Sequence, residues 1–249
     1  MAIVIKSPRE IEIMRRAGRV VGEVLEILCE QAIPGIMTSE LDRLAELELR
    51  NRGAEASFKG YNGYPANICV SVNDEIVHGI PGNRRLEEGD IVSIDIGSIV
   101  EGFQGDGAAT IGVGKVSQRA ERLMSAAKGA LFAGINAVRS GLRIGDISAA
   151  IQVHAESNGF SVVREYTGHG VGREMHEDPQ VPNFGRHGEG IELCEGMTLA
   201  LEPMINVGTW RTRIARNKWT VLTADGELSA HFEHTIAITD NGAEILTEV

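Results

Sequence analysis

Apolar residues at spacings of three and four open the first clear element of the chain. Ile11, Met14, Gly18, Val21, Leu25 and Leu28 fall on one stripe, which predicts an amphipathic helix. Ser7-Pro8-Arg9-Glu10 marks its start: Ser7 caps, Pro8 suits the first helical position and Glu10 closes a capping box. Pro34-Gly35 ends it. Thr38 is expected to cap a second helix, with Glu40 and Asp42 in its first turn and Leu41, Leu44 and Ala45 facing inward, until Gly53 stops it. Ahead of both, the apolar run AIVI within residues 1–6 reads as a short strand or an ordered arm.

Beyond residue 57 the pattern changes. Gly60, Gly63 and Pro65 mark a loop, and Ile68–Val72 and Glu75–His78 read as strands joined by an Asn73-Asp74 turn. Asp90–Thr110 follows as two strands joined by a tight turn. The order then repeats. Ser117 caps a helix carrying Leu123, Met124, Ala127, Leu131, Ile135 and Val138, Gly141 ends it, and a helix runs from about Asp146 to Gly159. Strands recur around Ser161–Tyr166, Met197–Ile205, Trp219–Leu222 and Phe232–Ile238. The expectation is an α+β fold, a single domain over 1–249 built from two duplicated halves, about 1–115 and 116–249, around one central sheet. Coincidence is the alternative, because helix-turn-helix units are common; the matched order of elements favours duplication.

Composition narrows the function classes. The 249 residues are 43% hydrophobic and 24% charged, an ordinary globular balance with enough bulk for a sizeable core. A net charge of −11 argues against nucleic acid as the main partner. No apolar run approaches the roughly 20 residues that cross a bilayer. The first residues lack signal-peptide order, so a cytoplasmic protein is expected. Cys29, Cys69 and Cys194 read as free thiols without a zinc-type spacing. The absence of an obvious apolar surface stripe makes a monomer the default.

The chemistry starts in Asp90–Thr110. With its turn centred between Val100 and Glu101, Asp95 and Asp106 would be directly opposed, their Cβ atoms roughly 4.5–5.5 Å apart. Carboxylates that close repel unless a proton or a cation lies between them. Glu202 within an apolar strand (TLALEPM) and Glu233 within HFEHTI add two more inward carboxylates. Buried ion pairs to arginines are the bland explanation, which four such acids strain. Two divalent cations would neutralise them, with His169 of the glycine-hinged GHGVGREMHEDP as the natural fifth ligand. Such a donor set suits Mn²⁺, Fe²⁺ or Co²⁺ better than a thiolate zinc site. Two metals about 3.5–4 Å apart can activate a bridging water for hydrolysis. In a strand His231 shares its face with Glu233, where it would back the ligands, while His234 points away; both read as non-ligands, and His154 and His187 as surface residues.

With YNGYPANICVSVNDEIVHGIPG, SIDIG, FQGDGAAT, TGHGVGREMHEDPQVPNFG, LALEPM and HFEHT in one order, the chain resembles the type I methionine aminopeptidases over essentially its whole length. The resemblance implies the pita-bread fold, two pseudo-twofold related halves around a central antiparallel sheet, and a metalloexopeptidase that removes the N-terminal methionine of nascent polypeptides when the second residue is small. It implies two divalent ions (Co, Mn, Fe or Zn) on Asp95, Asp106, His169, Glu202 and Glu233. His78 would contact the substrate backbone, His176 would stabilise the tetrahedral intermediate, and Glu202 would also handle the proton of the attacking water. Tyr61, Tyr64, Cys69 and Trp219 would form the methionine pocket. Met175 stands where some members have an aromatic residue, and Gln104 where many have a histidine. No cysteine-rich extension or long insertion appears, which implies the short bacterial-type architecture, and the Met1-Ala2 start would itself be a substrate. Ribosome docking through Arg15, Arg16 and Arg19 is the functional alternative to a solvated helix face. A proline-directed peptidase of the same fold and a non-catalytic binding protein are the competing readings.

Overall fold

Residues 3–248 are described in the structure, a computed structural model, so the Met1-Ala2 start lies outside the described residues. Residues 3–7 form an extended arm and no strand, held where the Lys6 amide donates to the Gly196 carbonyl at 2.8 Å. The first helix, α1 (Pro8–Gln31), begins with the expected reciprocal cap: the Ser7 hydroxyl accepts from the Glu10 amide and the Glu10 carboxylate from the Ser7 amide. The second, α2 (Thr38–Asn51), is not capped by Thr38. Met37 holds that position, its amide donating to Glu40, while the Thr38 hydroxyl exchanges hydrogen bonds with the Gly82 backbone. Asp42 likewise serves tertiary structure, accepting from the amides of Asn67 and Ile68.

The second half repeats the helix pair as α3 (Gln118–Ala137), capped by Ser117, and α4 (Ile144–Ser157). Gly35 and Gly141, at φ 94° and 86°, occupy equivalent turns, where only glycine is free of strain. Their amides donate to Leu86 and Leu193 in turn, the same local device used twice.

Strands of the first half are β1 (Glu55–Ala56), β2 (Ile68–Val72), β3 (Glu75–Val77), β4 (Ile91–Val100) and β5 (Phe103–Gly112). The second half contributes β6 (Ser161–Val162), β7 (Thr167–Gly170), β8 (Glu177–Pro182), β9 (Thr198–Leu201), β10 (Met204–Asn206), β11 (Thr212–Ile214), β12 (Val221–Thr223), β13 (Ser229–His231), β14 (Glu233–Thr239) and β15 (Gly242–Ile245). Nine of them form one antiparallel sheet in the order β1-β4-β5-β14-β9-β7-β8, with β2 also on β4 and β15 on β14. The seam between halves is β5 against β14; outward from it, β4 and β2 answer β9 and β7. That is the expected pair of pseudo-twofold halves around a central sheet.

Three further local expectations are corrected. The β4–β5 turn centres on Glu101-Gly102, both at positive φ (49° and 76°), as a two-residue hairpin turn requires. Asp95 therefore faces Ala108, and Asp106 faces Gly97, so the two aspartates are diagonal rather than opposed. Next, β2 and β3 enter different sheets, β2 on β4 and β3 on β12. Last, the run from Met197 to Ile205 is broken at Glu202-Pro203, where proline cannot donate to a ladder.

Which face carries the chemistry follows from β5. Its Gly105 and Gly107 point at α1: a Cβ on Gly105 would lie 2.8 Å from the Ala17 backbone, and one on Gly107 3.0 Å from Val21. Asp106 and Ala108, between and beyond those glycines, point the other way. Among the described residues no helix is long and apolar enough to cross a membrane.

Candidate metal centre

One row of side chains crosses the sheet on the face turned away from α1. Cys69 pairs with Asp95, Asp95 with Ala108, and Ala108 with Glu233. The row continues to Glu202. Leu201 pairs with His234 and Met204 with His231, so the register held on both sides of the strand break sets Glu202 opposite Glu233. A second row holds Asp106 and His169: the Thr235 hydroxyl exchanges hydrogen bonds with the Asp106 backbone, Thr235 pairs with Ala200, and Ala200 with His169. The small Ala108 leaves room between Asp95 and Glu233.

The atoms converge closely. His169 Nε2 lies 3.8 Å from Asp106 Oδ2 and 3.6 Å from Glu202 Oε1. Potential ligand atoms of Asp106, His169 and Glu233 all fall within 4.8 Å of one another, as do those of Glu202, His231 and Glu233. Asp95 belongs to neither trio but lines the same cavity. His169 Nδ1 donates to the Gly170 carbonyl at 2.9 Å, which leaves Nε2 with a free lone pair toward the acids. Burial drops its pKa to about 3, so this imidazole is neutral at pH 7.

Electrostatically the cluster is uncompensated. Burial, with Asp106 beside it, pushes the Asp95 carboxyl well above the usual range; burial and Glu202 do the same to Asp106, and burial, Asp106 and Glu202 to Glu233. Burial raises Glu202 to about 8. Among the described residues no lysine or arginine pairs with any of the four; their nitrogen neighbours are histidines. Asp95 Oδ1, Asp106 Oδ1, Glu233 Oε1 and His231 Nε2 are buried without a hydrogen-bond partner.

Above the acids lies a cavity of about 180 Å³ walled by Phe58, Tyr61, Tyr64, Cys69, Met175 and Trp219. Tyr64 meets Trp219 edge-on at 5.2 Å, and its hydroxyl bonds the Gly79 carbonyl at 2.9 Å. His176 sits at the mouth, its Nδ1 2.8 Å from the Tyr61 hydroxyl and its ring 4.3 Å from that of His169. His78 also lines the cavity, at a strained φ of 59°, with its ring edge-on to Tyr166. Burial lowers its pKa to about 4. His234 is turned away and bonds Thr247.

Residues 12–240 match the model of metallopeptidase family M24. The chain belongs to that family. It is 52% identical to the methionine aminopeptidase of Clostridium acetobutylicum over 98% of both chains. The solved methionine aminopeptidase of Thermotoga maritima superposes with a TM-score of 0.98 at 46% identity, covering 100% of both chains. A Xaa-Pro dipeptidase from Bacillus anthracis shares the fold at TM-score 0.80 and 25% identity, but only 62% of that chain is covered.

The M24 chain presents a donor set that fits divalent cations. Its orphaned carboxylate oxygens need positive charge, and its neutral imidazole offers a lone pair to the same space. M24 metallopeptidases hydrolyse peptide bonds with divalent metal, and this chain is accordingly a hydrolase. His231, expected on the face of Glu233 from its place two residues before it, is 1% exposed with Nε2 3.5 Å from Glu202 Oε2. Sequence reasoning missed Phe58, Asn62 and Thr235. Gln104 does not touch the acids; its side-chain amide donates to the Arg173 carbonyl at 3.2 Å.

Proposed function

We propose that this chain removes the N-terminal methionine from nascent polypeptides whose second residue is small, as one catalytic unit in which the halves 1–115 and 116–249 each supply two carboxylates. The observation that carries the proposal is the convergence of four carboxylates, Asp106 and Glu233 buried and Asp95 and Glu202 half-buried, none paired with a lysine or arginine among the described residues, beneath a small cavity walled by aromatic and sulfur side chains. Its near-complete match to methionine aminopeptidases supports the same reading.

Asp95, Asp106, His169, Glu202 and Glu233 would hold two divalent cations, Co, Mn, Fe or Zn. Bound there, such ions supply charge neutralisation for the acids and Lewis-acid polarisation of water and of the scissile carbonyl. The remaining work falls to the protein. Tyr64, Cys69 and Trp219, with Met175, pack around the methionine side chain, which suits a soft thioether. Cys69 stays a neutral thiol because burial, with Asp95 nearby, raises its pKa. Glu202 accepts a proton from the attacking water and passes it to the leaving amine, a task for a carboxylate that lines the cavity. With the Tyr61 hydroxyl donating to Nδ1, His176 carries its proton on Nε2 and donates it to the oxygen where charge develops. His78, neutral and fixed by its backbone, bonds the scissile amide.

Work on nascent chains in the cytoplasm, as a monomer, belongs to the same proposal. Ribosome docking through the basic run of α1 stays part of the proposal; Arg15 pairs with Glu12 and Glu244 and Arg16 with Glu101 on that helix face. The test supplies each divalent ion in turn to chelated protein and follows hydrolysis of Met-Ala-Ser beside an Xaa-Pro peptide. Metal-dependent release of methionine is expected. Cleavage of the Xaa-Pro peptide alone would move the chain to the proline-directed branch, and no cleavage with any ion would leave a binding protein.

A further inference from the structure

We propose that Lys6 is a positioning residue for His176, acting through Glu177; this rests on the function above, in which His176 meets the substrate. His176 rides on the connection between β7 and β8, which two anchors hold. One is β5: the Gln104 amide donates to the Gly172 carbonyl at 2.7 Å and its side chain to the Arg173 carbonyl at 3.2 Å. The other is Glu177. Its Oε1 accepts from the amides of Arg173 at 2.9 Å and Glu174 at 3.3 Å, and its Oε2 takes the Lys6 ammonium at 2.5 Å.

Glu177, held inward by the Lys6 ammonium and two amide donors, fixes the start of β8, and the residue just before it, His176, reaches the cavity mouth from that point. The pair is buried, with side chains 3% and 10% exposed, unlike the solvated ion pairs elsewhere on the surface. Gly172 packs directly on it: a Cβ there would lie 2.4 Å from Glu177 Oε1 and 2.6 Å from Lys6 Cε. Lys6 is itself fixed, its amide on Gly196 and its ammonium also on the Val4 carbonyl at 3.2 Å. The N-terminal arm thus locks a substrate-facing loop that lies 171 positions along the chain. Without the ammonium, Glu177 is a buried charge with only two amide donors; it turns toward water and frees residues 173–176.

The test compares wild type with Lys6→Met, Lys6→Arg and the double variant K6M/E177L, which leaves no unpaired buried charge, so keeps a folded sample available, and also removes the acceptor of the Arg173 and Glu174 amides. In metal-loaded protein, kcat on Met-Ala-Ser should fall roughly tenfold or more in Lys6→Met and K6M/E177L, since a displacement near 1 Å can cost that much. KM should stay within about twofold, the mark of an interaction made in the transition state. Lys6→Arg should restore part of the rate. In a His176→Ala background Lys6→Met should change kcat by no more than about twofold, which a merely structural role would not produce. In metal-free protein, hydrogen exchange at the Arg173 and Glu174 amides should quicken in the variants. Wild-type kcat in K6M/E177L, or a full Lys6→Met effect without His176, overturns the inference while leaving the function standing. Wild-type protein that does not cleave Met-Ala-Ser overturns the function and this inference with it.

Discussion

Stripping the metal should make the protein less stable as pH rises through neutrality. Glu202 has a folded-state pKa near 8 against an ordinary value of 4.5, so between those limits the folded state binds more protons than the unfolded one. Stability then falls with pH, because its slope follows the protons bound by the unfolded state minus those bound by the folded state. The buried histidines act oppositely but in another window. His169 near 3, His78 near 4 and His234 near 4 add stability as pH climbs only to about their ordinary 6.5. From pH 6.5 to 8 the unfolded-state histidines lose their last protons, so their opposing contribution fades across this window while the four raised carboxylates pull stability down. Over 1.5 pH steps Glu202 loses about 2 kcal/mol, at roughly 1.4 kcal/mol per unit. Asp95, Asp106 and Glu233 are raised too and push the same way. In a chain of 249 residues, 2 kcal/mol lowers Tm by roughly 4–8 °C. Calorimetry of chelated protein at steps across that window measures it, with Glu202→Gln as the variant that flattens the curve. Manganese at ~100 times its Kd should restore about 2.7 kcal/mol at pH 8. A chelated-protein Tm that holds level or climbs from pH 6.5 to 8 would mean the acids are not jointly buried and unpaired.

Asp106→Ala should abolish turnover and lower bound metal per chain while the protein stays folded, as elemental analysis and circular dichroism would report; wild-type activity at saturating metal would contradict the role given to β5. Ala108→Leu should fill the gap between Asp95 and Glu233 and cut metal uptake several-fold by calorimetric titration, with little change in helix content. Gly105→Ala should destabilise by about 2 kcal/mol in urea, because its Cβ meets the α1 backbone at 2.8 Å. Cys194, exposed, should alkylate in native protein well before buried Cys69, and equal rates would mean the pocket floor is open.

Local chemistry determined a good share of this protein. Capping at Ser7 and Ser117, the helix stripes and the glycine turns at 35 and 141 depend on near neighbours in the chain, and they stand where those neighbours put them. The identity of the four acids was also legible, because a carboxylate in an apolar run needs a reason. Register was not. Whether Asp95 opposes Asp106 or sits diagonal to it turned on positive φ at Glu101 and Gly102, a shift of one residue in the turn centre that alternating apolar residues tolerate equally. Thr38 and Asp42 looked like helix-end residues and were drawn into contacts with Gly82 and Asn67. The Lys6–Glu177 lock and the approach of Glu202 to His169 depend on partners distant in sequence. Only the packing of both helix pairs against one face of the sheet leaves its other face to bring such partners together, and no local pattern carries that information.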